Sequence, residues 1–244
     1  MKIIFFLALF FSVYSYSQEY EGKVTYKVTS NSDAFIKRLN DSILSEQIKN
    51  DQIRTFSNGT PIVFHLFINA KEALYKKSHD DKTNTSSGYV MNVTAIMAGE
   101  HNVYYTNLET EEKFFKNSSI DDILVNVADV TWELTSEKKE IGEYTCYKAI
   151  GNFTSDRHGL KILEPIVAWY TPEVPVSFGI GPFGGLPGLT LELMVNYNFG
   201  KVSYKAIQVN FEPKEAIIIE KPTGQKRMSE KEYVEYRYNQ SRYR

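Results

Sequence analysis

Lys23-Val24-Thr25-Tyr26-Lys27-Val28 places Val24, Tyr26 and Val28 on one face and Lys23, Thr25 and Lys27 on the other. That two-residue period is the signature of a half-buried strand. It returns late in the chain, in Lys201 to Phe211, where Val202 and Tyr204, then Ile207, Val209 and Phe211, keep the alternation. Strand-like segments fill the interval: Ile62 to Ile68, Glu72 to Lys76, Val103 to Leu108, Lys113 to Lys116, Trp132 to Thr135, Glu143 to Phe153, Ile166 to Tyr170 and Leu189 to Val195. Turn formers separate them, among them Ser57-Asn58-Gly59 and the polar run Asp80 to Gly88. About ten short strands so spaced predict an antiparallel sheet, and 17 Tyr, 15 Phe and 2 Trp suit one.

Two segments break the strand pattern. From Asp33, available as an N-cap, Phe35, Ile36, Leu39, Ile43, Leu44 and Ile48 recur at helical spacing, predicting one amphipathic helix of about four turns over Asp33 to Lys49. Near the other end, Pro222-Thr223-Gly224 precedes Ser229-Glu230-Lys231-Glu232, whose S-x-x-E spacing is a capping box. The expected fold is therefore mainly β, of the α+β class: a curved antiparallel sheet or half-barrel, one amphipathic helix packed on it, and a short C-terminal helix.

Lys2, the apolar run Ile3 to Phe11 and the small-x-small step Ser15-Tyr16-Ser17 have the three parts of a secretory signal. The run is far short of the about 20 residues that cross a bilayer. Residues 1–17 are read as a signal peptide cleaved between Ser17 and Gln18, and residues 18–244 as a single domain without a transmembrane anchor. Cys146, the only cysteine, forms no internal disulfide and is no lipidation site beside the signal, so export is expected to end in the periplasm or cell envelope, or in the medium. With 28 Lys and Arg against 30 Asp and Glu, the formal charge of −2 gives no reason to expect a nucleic-acid partner.

The most unusual stretch is Gly181-Pro182-Phe183-Gly184-Gly185-Leu186-Pro187-Gly188-Leu189. Glycine admits positive φ and proline fixes φ near −65°, so the segment specifies a tight backbone path. A positive φ is expected at Gly188, and turns that deliver Leu189, Leu191 and Leu193 to the core. No Lys-Ser or Lys-Thr follows Gly188, which excludes a phosphate loop. Gly185 to Leu189 match, letter for letter, the motif that names the GLPGLI family of exported proteins from Bacteroidota; the final Ile is Thr190 here. Trp169-Tyr170-Thr171-Pro172-Glu173-Val174-Pro175 resembles that family's W-x-T-x-x-I-P segment, and Gly181-Pro182 its G-P step. Ile141 to Ala149 and Pro222 to Tyr233 are similar to its I-x-G-Y-x-C-x-K-A and P-x-G-x-x-x-S-x-x-E-Y stretches. The resemblance implies a bacterial envelope protein and assigns no activity. It marks Trp169, Pro175, Gly181, Pro182, Gly185, Leu186, Pro187, Gly188 and Leu189 as a motif that either shapes the fold or receives a partner.

Chemistry-bearing residues are sparse. Cys146 would need a nearby base to act as a nucleophile, and His65, His79, His101 and His158 are scattered. No histidine or cysteine pair has metal-ligand spacing, and Asp121-Asp122 would point apart in a strand. No catalytic set, metal or cofactor is therefore expected. Three readings stand: a non-enzymatic envelope protein binding an apolar ligand or lipid in the sheet concavity; a structural partner docking on an outer-membrane transporter or surface machine through the Pro/Gly segment; and a thiol-dependent enzyme built on Cys146.

Overall fold

A computed structural model describes residues 20–79, 92–119, 122–152, 156–157, 160–161 and 165–242. The signal segment with Ser17 and Gln18, the polar run from Asp80 and His158 lie outside them. In chain order the elements are β1 (Glu21–Asn31), α1 (Asp33–Asn40), α2 (Glu46–Phe56), β2 (Ile62–Asn69), β3 (Glu72–Lys77), α3 (Val93–Ala98), β4 (Asn102–Asn107), β5 (Glu112–Asn117), β6 (Ile123–Asn126), β7 (Thr131–Ile141), β8 (Tyr144–Asn152), β9 (Asp156–Arg157), β10 (Leu160–Lys161), β11 (Ile166–Thr171), β12 (Leu189–Tyr197), β13 (Gly200–Asn210), β14 (Lys226–Met228) and α4 (Glu230–Arg242).

Twelve strands form one sheet in the order β14-β6-β5-β4-β3-β2-β1-β13-β12-β11-β8-β7. Consecutive strands run as two meanders joined where β1 pairs with β13, with Val24 opposite Val209 and Val28 opposite Tyr204. Every pair in this sheet is antiparallel except β14 with β6, which is parallel, so the sheet is mixed rather than purely antiparallel. The exception has a simple cause. After β13 the chain crosses the sheet to its far edge before it pairs again, which is the crossover connection that a parallel pair requires.

Alternation fixes what each face carries. On the inner face Val24, Leu66, Tyr75, Tyr104, Phe115 and Val125 are register partners in one cross-strand row. Val28, Tyr204, Leu193, Ala168 and Ala149 form another. All of these are buried in a single core. The outer face has a smaller core of Leu74, Tyr105, Phe114 and Leu124, covered by Ile219. The sheet's exposed borders are a three-residue strand at one end and, at the other, the charged β7 with its register shift between Leu134 and Lys138. Short and charged edges discourage pairing with other chains.

The single helix expected over Asp33 to Lys49 is two helices. The Ser42 hydroxyl donates to the Leu39 carbonyl (2.7 Å), ending α1, and Ser45, in an extended conformation, accepts from the Ile48 amide to start α2. The pair does not lie on the sheet with the predicted apolar face: α2 buries no residue, and Ile43, at the bend, is fully exposed. Instead Phe35 and Phe56 pack edge-on at 4.7 Å and both meet Phe199, anchoring the hairpin beside the β12–β13 turn. The inner face is covered by α3, whose Val93, Ala95 and Met97 are buried, by the loop between β11 and β12, and by Tyr233 of α4, edge-on to Phe115 at 5.8 Å. The C-terminal helix begins where the capping box predicts: the Ser229 amide donates to the Glu232 carboxylate (2.8 Å) and the Glu232 amide to the Ser229 hydroxyl (3.3 Å).

The strap from Phe211 to Gln225 is held across the outer face by charge. Glu112 accepts from Lys221 at 2.5 Å and Arg227 at 3.0 Å, and these two cations hold its carboxyl down at about 2. Lys116 bridges Asp122 (2.7 Å) and the Thr223 carbonyl (2.6 Å). A carboxyl whose pKa is lowered by folding stabilises above its unfolded pKa, near 4.5, and loses that contribution as pH falls toward 2. Glu112→Gln should therefore destabilise by about 1 kcal/mol at about pH 7, after allowance for solvent screening, and by nothing at about pH 2. Urea titrations at the two pH values read the difference, and equal effects at both would remove the ion pairs from the account.

Candidate functional site

β11 and β12 are adjacent antiparallel strands, Thr171 opposite Leu189, yet residues 172–188 separate them where a tight turn would suffice. The segment folds back over the inner face. Val174, Val176, Phe178 and Ile180 alternate inward along its first limb and are buried, followed by Phe183 and Leu186. Backbone bonds close within it or across its mouth: Val176 N–H to Val174 O (2.8 Å), Phe183 N–H to Ile180 O (3.2 Å), Gly185 N–H to Ser177 O (2.9 Å) and Leu189 N–H to Val174 O (2.9 Å). Its rim, Pro172, Pro175, Gly185 and Pro187, is exposed.

Two contacts at the tip show how far the sheet curls. A Cβ on Gly181 would meet the Tyr104 ring of β4 at 3.4 Å, while the Trp132 indole N–H of β7 donates to the Gly184 carbonyl at 2.9 Å. β4 and β7 lie eight steps apart in the sheet, roughly 38 Å if it were flat. Gly181 and Gly184 are at most about 11 Å apart. The sheet therefore bends into a half-barrel whose concavity the loop stoppers.

The motif residues fall into distinct positions. Leu186, Pro182 and Leu189 point into the core, and Leu191 and Leu193 follow Leu189 there. Pro175, Gly185 and Pro187 line the exposed rim. Gly188 is buried, and its φ lies outside the left-handed region, correcting the expectation of a positive φ there. Its requirement is space: a Cβ would stand 2.1 Å from the Thr171 carbonyl oxygen. The positive φ values of the motif belong to Gly181 (59°) and Gly185 (92°). Trp169 is not in the loop at all. It lies on β11 with the Lys139 ammonium 4.4 Å above its ring, and Lys139 is paired with Glu192.

The surroundings of Cys146 do not favour the thiol reading. The side chain is fully buried, its S–H donates to the Tyr144 carbonyl at 3.7 Å, and burial, opposed by the nearby Lys139 ammonium, pushes the thiol up to about 11. Burial of this kind disfavours the thiolate, which is the reactive form. Of the histidines, His65 bridges Thr25 (3.2 Å) and Ser78 (3.0 Å), and His101 lies beside Glu100. Among the described residues no group of three or more His, Cys, Asp or Glu could hold a metal ion, and no helix is long and apolar enough to cross a membrane.

Under the stopper lies a feature that sequence reasoning did not single out. Phe64 stacks on Tyr75 at 4.9 Å, Tyr26 and Tyr104 each lie 6.3 Å from Tyr75, and Phe115 continues the series 5.4 Å from Tyr104. The Tyr26 hydroxyl donates to the Thr190 carbonyl at 2.7 Å, but the buried Tyr75 hydroxyl has no hydrogen-bond partner among the described residues. Each tyrosine occupies an unremarkable strand position, and strand register brings the rings together: Tyr26 lies opposite Phe64, Tyr75 opposite Tyr104, and Tyr104 opposite Phe115.

No curated protein matches the chain. Among solved structures, PNGF-II in two crystal forms is similar at 16% identity, with TM-scores of 0.48 and 0.41 and coverage of 88% and 84% of this chain. The match takes in 32% and 30% of the PNGF-II chains, so this chain spans about a third of their length. The Mycobacterium tuberculosis lipoprotein LppX is similar at 9% identity and a TM-score of 0.30, over 80% of this chain and 90% of that one. A family model described as "Protein of unknown function (Porph_ging)" matches residues 154–192, the stretch that contains the stopper loop.

Proposed function

We propose that this protein is a non-enzymatic binding protein of the bacterial cell envelope, exported by residues 1–17 and related to the GLPGLI proteins, which receives an apolar ligand or lipid on the concave face of its sheet. The observation that carries the reading is the cover of that face. The aromatic row is closed partly by a loop that is hydrogen-bonded largely to itself and rests on the row through apolar side chains and a glycine. Apolar contacts are non-directional, so an apolar ligand can take the loop's place at little cost in unmade backbone bonds. Sites of this kind are lined by hydrophobic and aromatic side chains with few polar groups.

Protein purified without detergent, extracted with organic solvent and examined by mass spectrometry, should release an apolar compound in stoichiometric amount. The stripped protein should bind an environment-sensitive apolar dye saturably, and the extract should displace it. Absence of both the compound and saturable dye binding would refute the reading. The exposed rim of Pro172, Pro175, Gly185 and Pro187 favours a second reading, docking on an outer-membrane protein, which predicts instead that substitutions on the rim abolish partner capture while dye binding is absent throughout.

A further inference from the structure

Tyr75 is buried at 3% exposure, and its hydroxyl has no hydrogen-bond partner among the described residues in a largely aromatic and aliphatic face. A buried hydroxyl without a partner is uncommon and calls for an occupant that satisfies it. Its electrostatic surroundings are informative about that occupant. Its ring neighbours are Phe64, Tyr26 and Tyr104, and among the described residues no buried side chain is a lysine, arginine or histidine. Burial raises its own pKa well above the ordinary phenol value, so it stays a neutral O–H donor. A carboxylate or phosphate brought to this place would lose its hydration and meet no cation, which is costly. An uncharged oxygen would gain a hydrogen bond and lose little.

Building on the binding reading above, we infer that the ligand is an uncharged amphiphile whose carbonyl or hydroxyl oxygen accepts a hydrogen bond from Tyr75, with its apolar body lying along the aromatic row under the stopper loop. The class includes long-chain alcohols, esters and ketones. It leaves out free fatty acids and phospholipid headgroups at this position.

Three pyrene-labelled probes of equal chain length, ending in an alcohol, a carboxylic acid and a plain alkane, separate the possibilities in full-length stripped protein by fluorescence titration. One neutral hydrogen bond predicts that the alcohol binds about five- to tenfold more tightly than the alkane, with the acid weaker than the alcohol at neutral pH. Tyr75→Phe keeps the ring and should reduce the alcohol–alkane preference to about onefold, with the far-ultraviolet circular dichroism unchanged. Equal affinities for all three probes in the unmodified protein, or a preference that survives in Tyr75→Phe, would overturn the assignment, leaving a water molecule as the partner of Tyr75 and the apolar-ligand reading intact. Failure of every probe to bind would overturn both.

Discussion

Gly188→Ala should cost about 3 kcal/mol or more of unfolding free energy, whereas Gly185→Ala, three residues away, should cost about 1–2 kcal/mol. The contrast runs against a reading by backbone angle alone, because Gly185 is the one with φ at 92°. A methyl there meets nothing within 4 Å, so only the local cost of a left-handed L-residue is felt. At Gly188 the methyl would sit 2.1 Å from the Thr171 oxygen, 2.6 Å from its carbon and 2.9 Å from the Pro172 nitrogen. All three are backbone atoms at the mouth of the loop, where Thr171 pairs with Leu189, and none can swing aside like a side chain. Relief requires opening the mouth, which breaks the bond from the Leu189 amide to Val174 and shifts the buried leucines beyond it. Chemical denaturation of the two variants measures the difference, and similar values would show that the approach at the mouth is not a constraint.

The second large effect is expected for Phe178→Ala. Phe178 is 2% exposed and lies midway along the limb that fills the concavity. Deleting a buried phenylalanine costs about 3–5 kcal/mol through lost burial and the cavity left behind. If the loop is part of the core as packed, the whole domain loses this stability. A second readout addresses the cover itself: apolar dye binding to the folded variant should rise, because the loop's hold on the aromatic row is weakened. A loss below about 1 kcal/mol would mean that the loop adds little to the core, and unchanged dye binding would count against access beneath it.

These two positions show what was legible in the sequence and what was not. The strands announced themselves because one buried face imposes a period of two, as in Val24, Tyr26 and Val28. The capping box at Ser229 also worked, since it is a local rule with a local cause. Asp33 to Lys49 misled because periodicity records spacing and not solvent: Ile43 and Leu44 fit a helical face, but Asn40-Asp41-Ser42 and Ser45 end one helix and cap another. α3 escaped notice because six residues are too few to show a period, although Asn92 and Gly99 (φ 68°) mark its two ends. The β6 and β14 strands, four and three residues long, failed for the same reason. The site was less legible than the fold. That Gly188 meets Thr171, or that Gly181 meets the Tyr104 ring of β4, follows from long-range closure and curvature, which no window along the chain contains.

The pairing of β1 with β13 also sets the order in which the chain can fold. β2 to β6 form one meander, and β7, β8, β11, β12 and β13 form another once the separate β9–β10 hairpin is set aside, and each can close without the seam between them. The seam itself closes at long range: Lys23 must find Asn210, and Val24 must find Val209. Contacts at such separation close slowly because the entropy of the intervening chain is lost before they form. Until then the first strand presents an unpaired edge beside β2, a surface prone to mispairing. A chain emerging from its N-terminus would hold that edge open until β13 had been released, making the arrival of β13 the step that commits the fold.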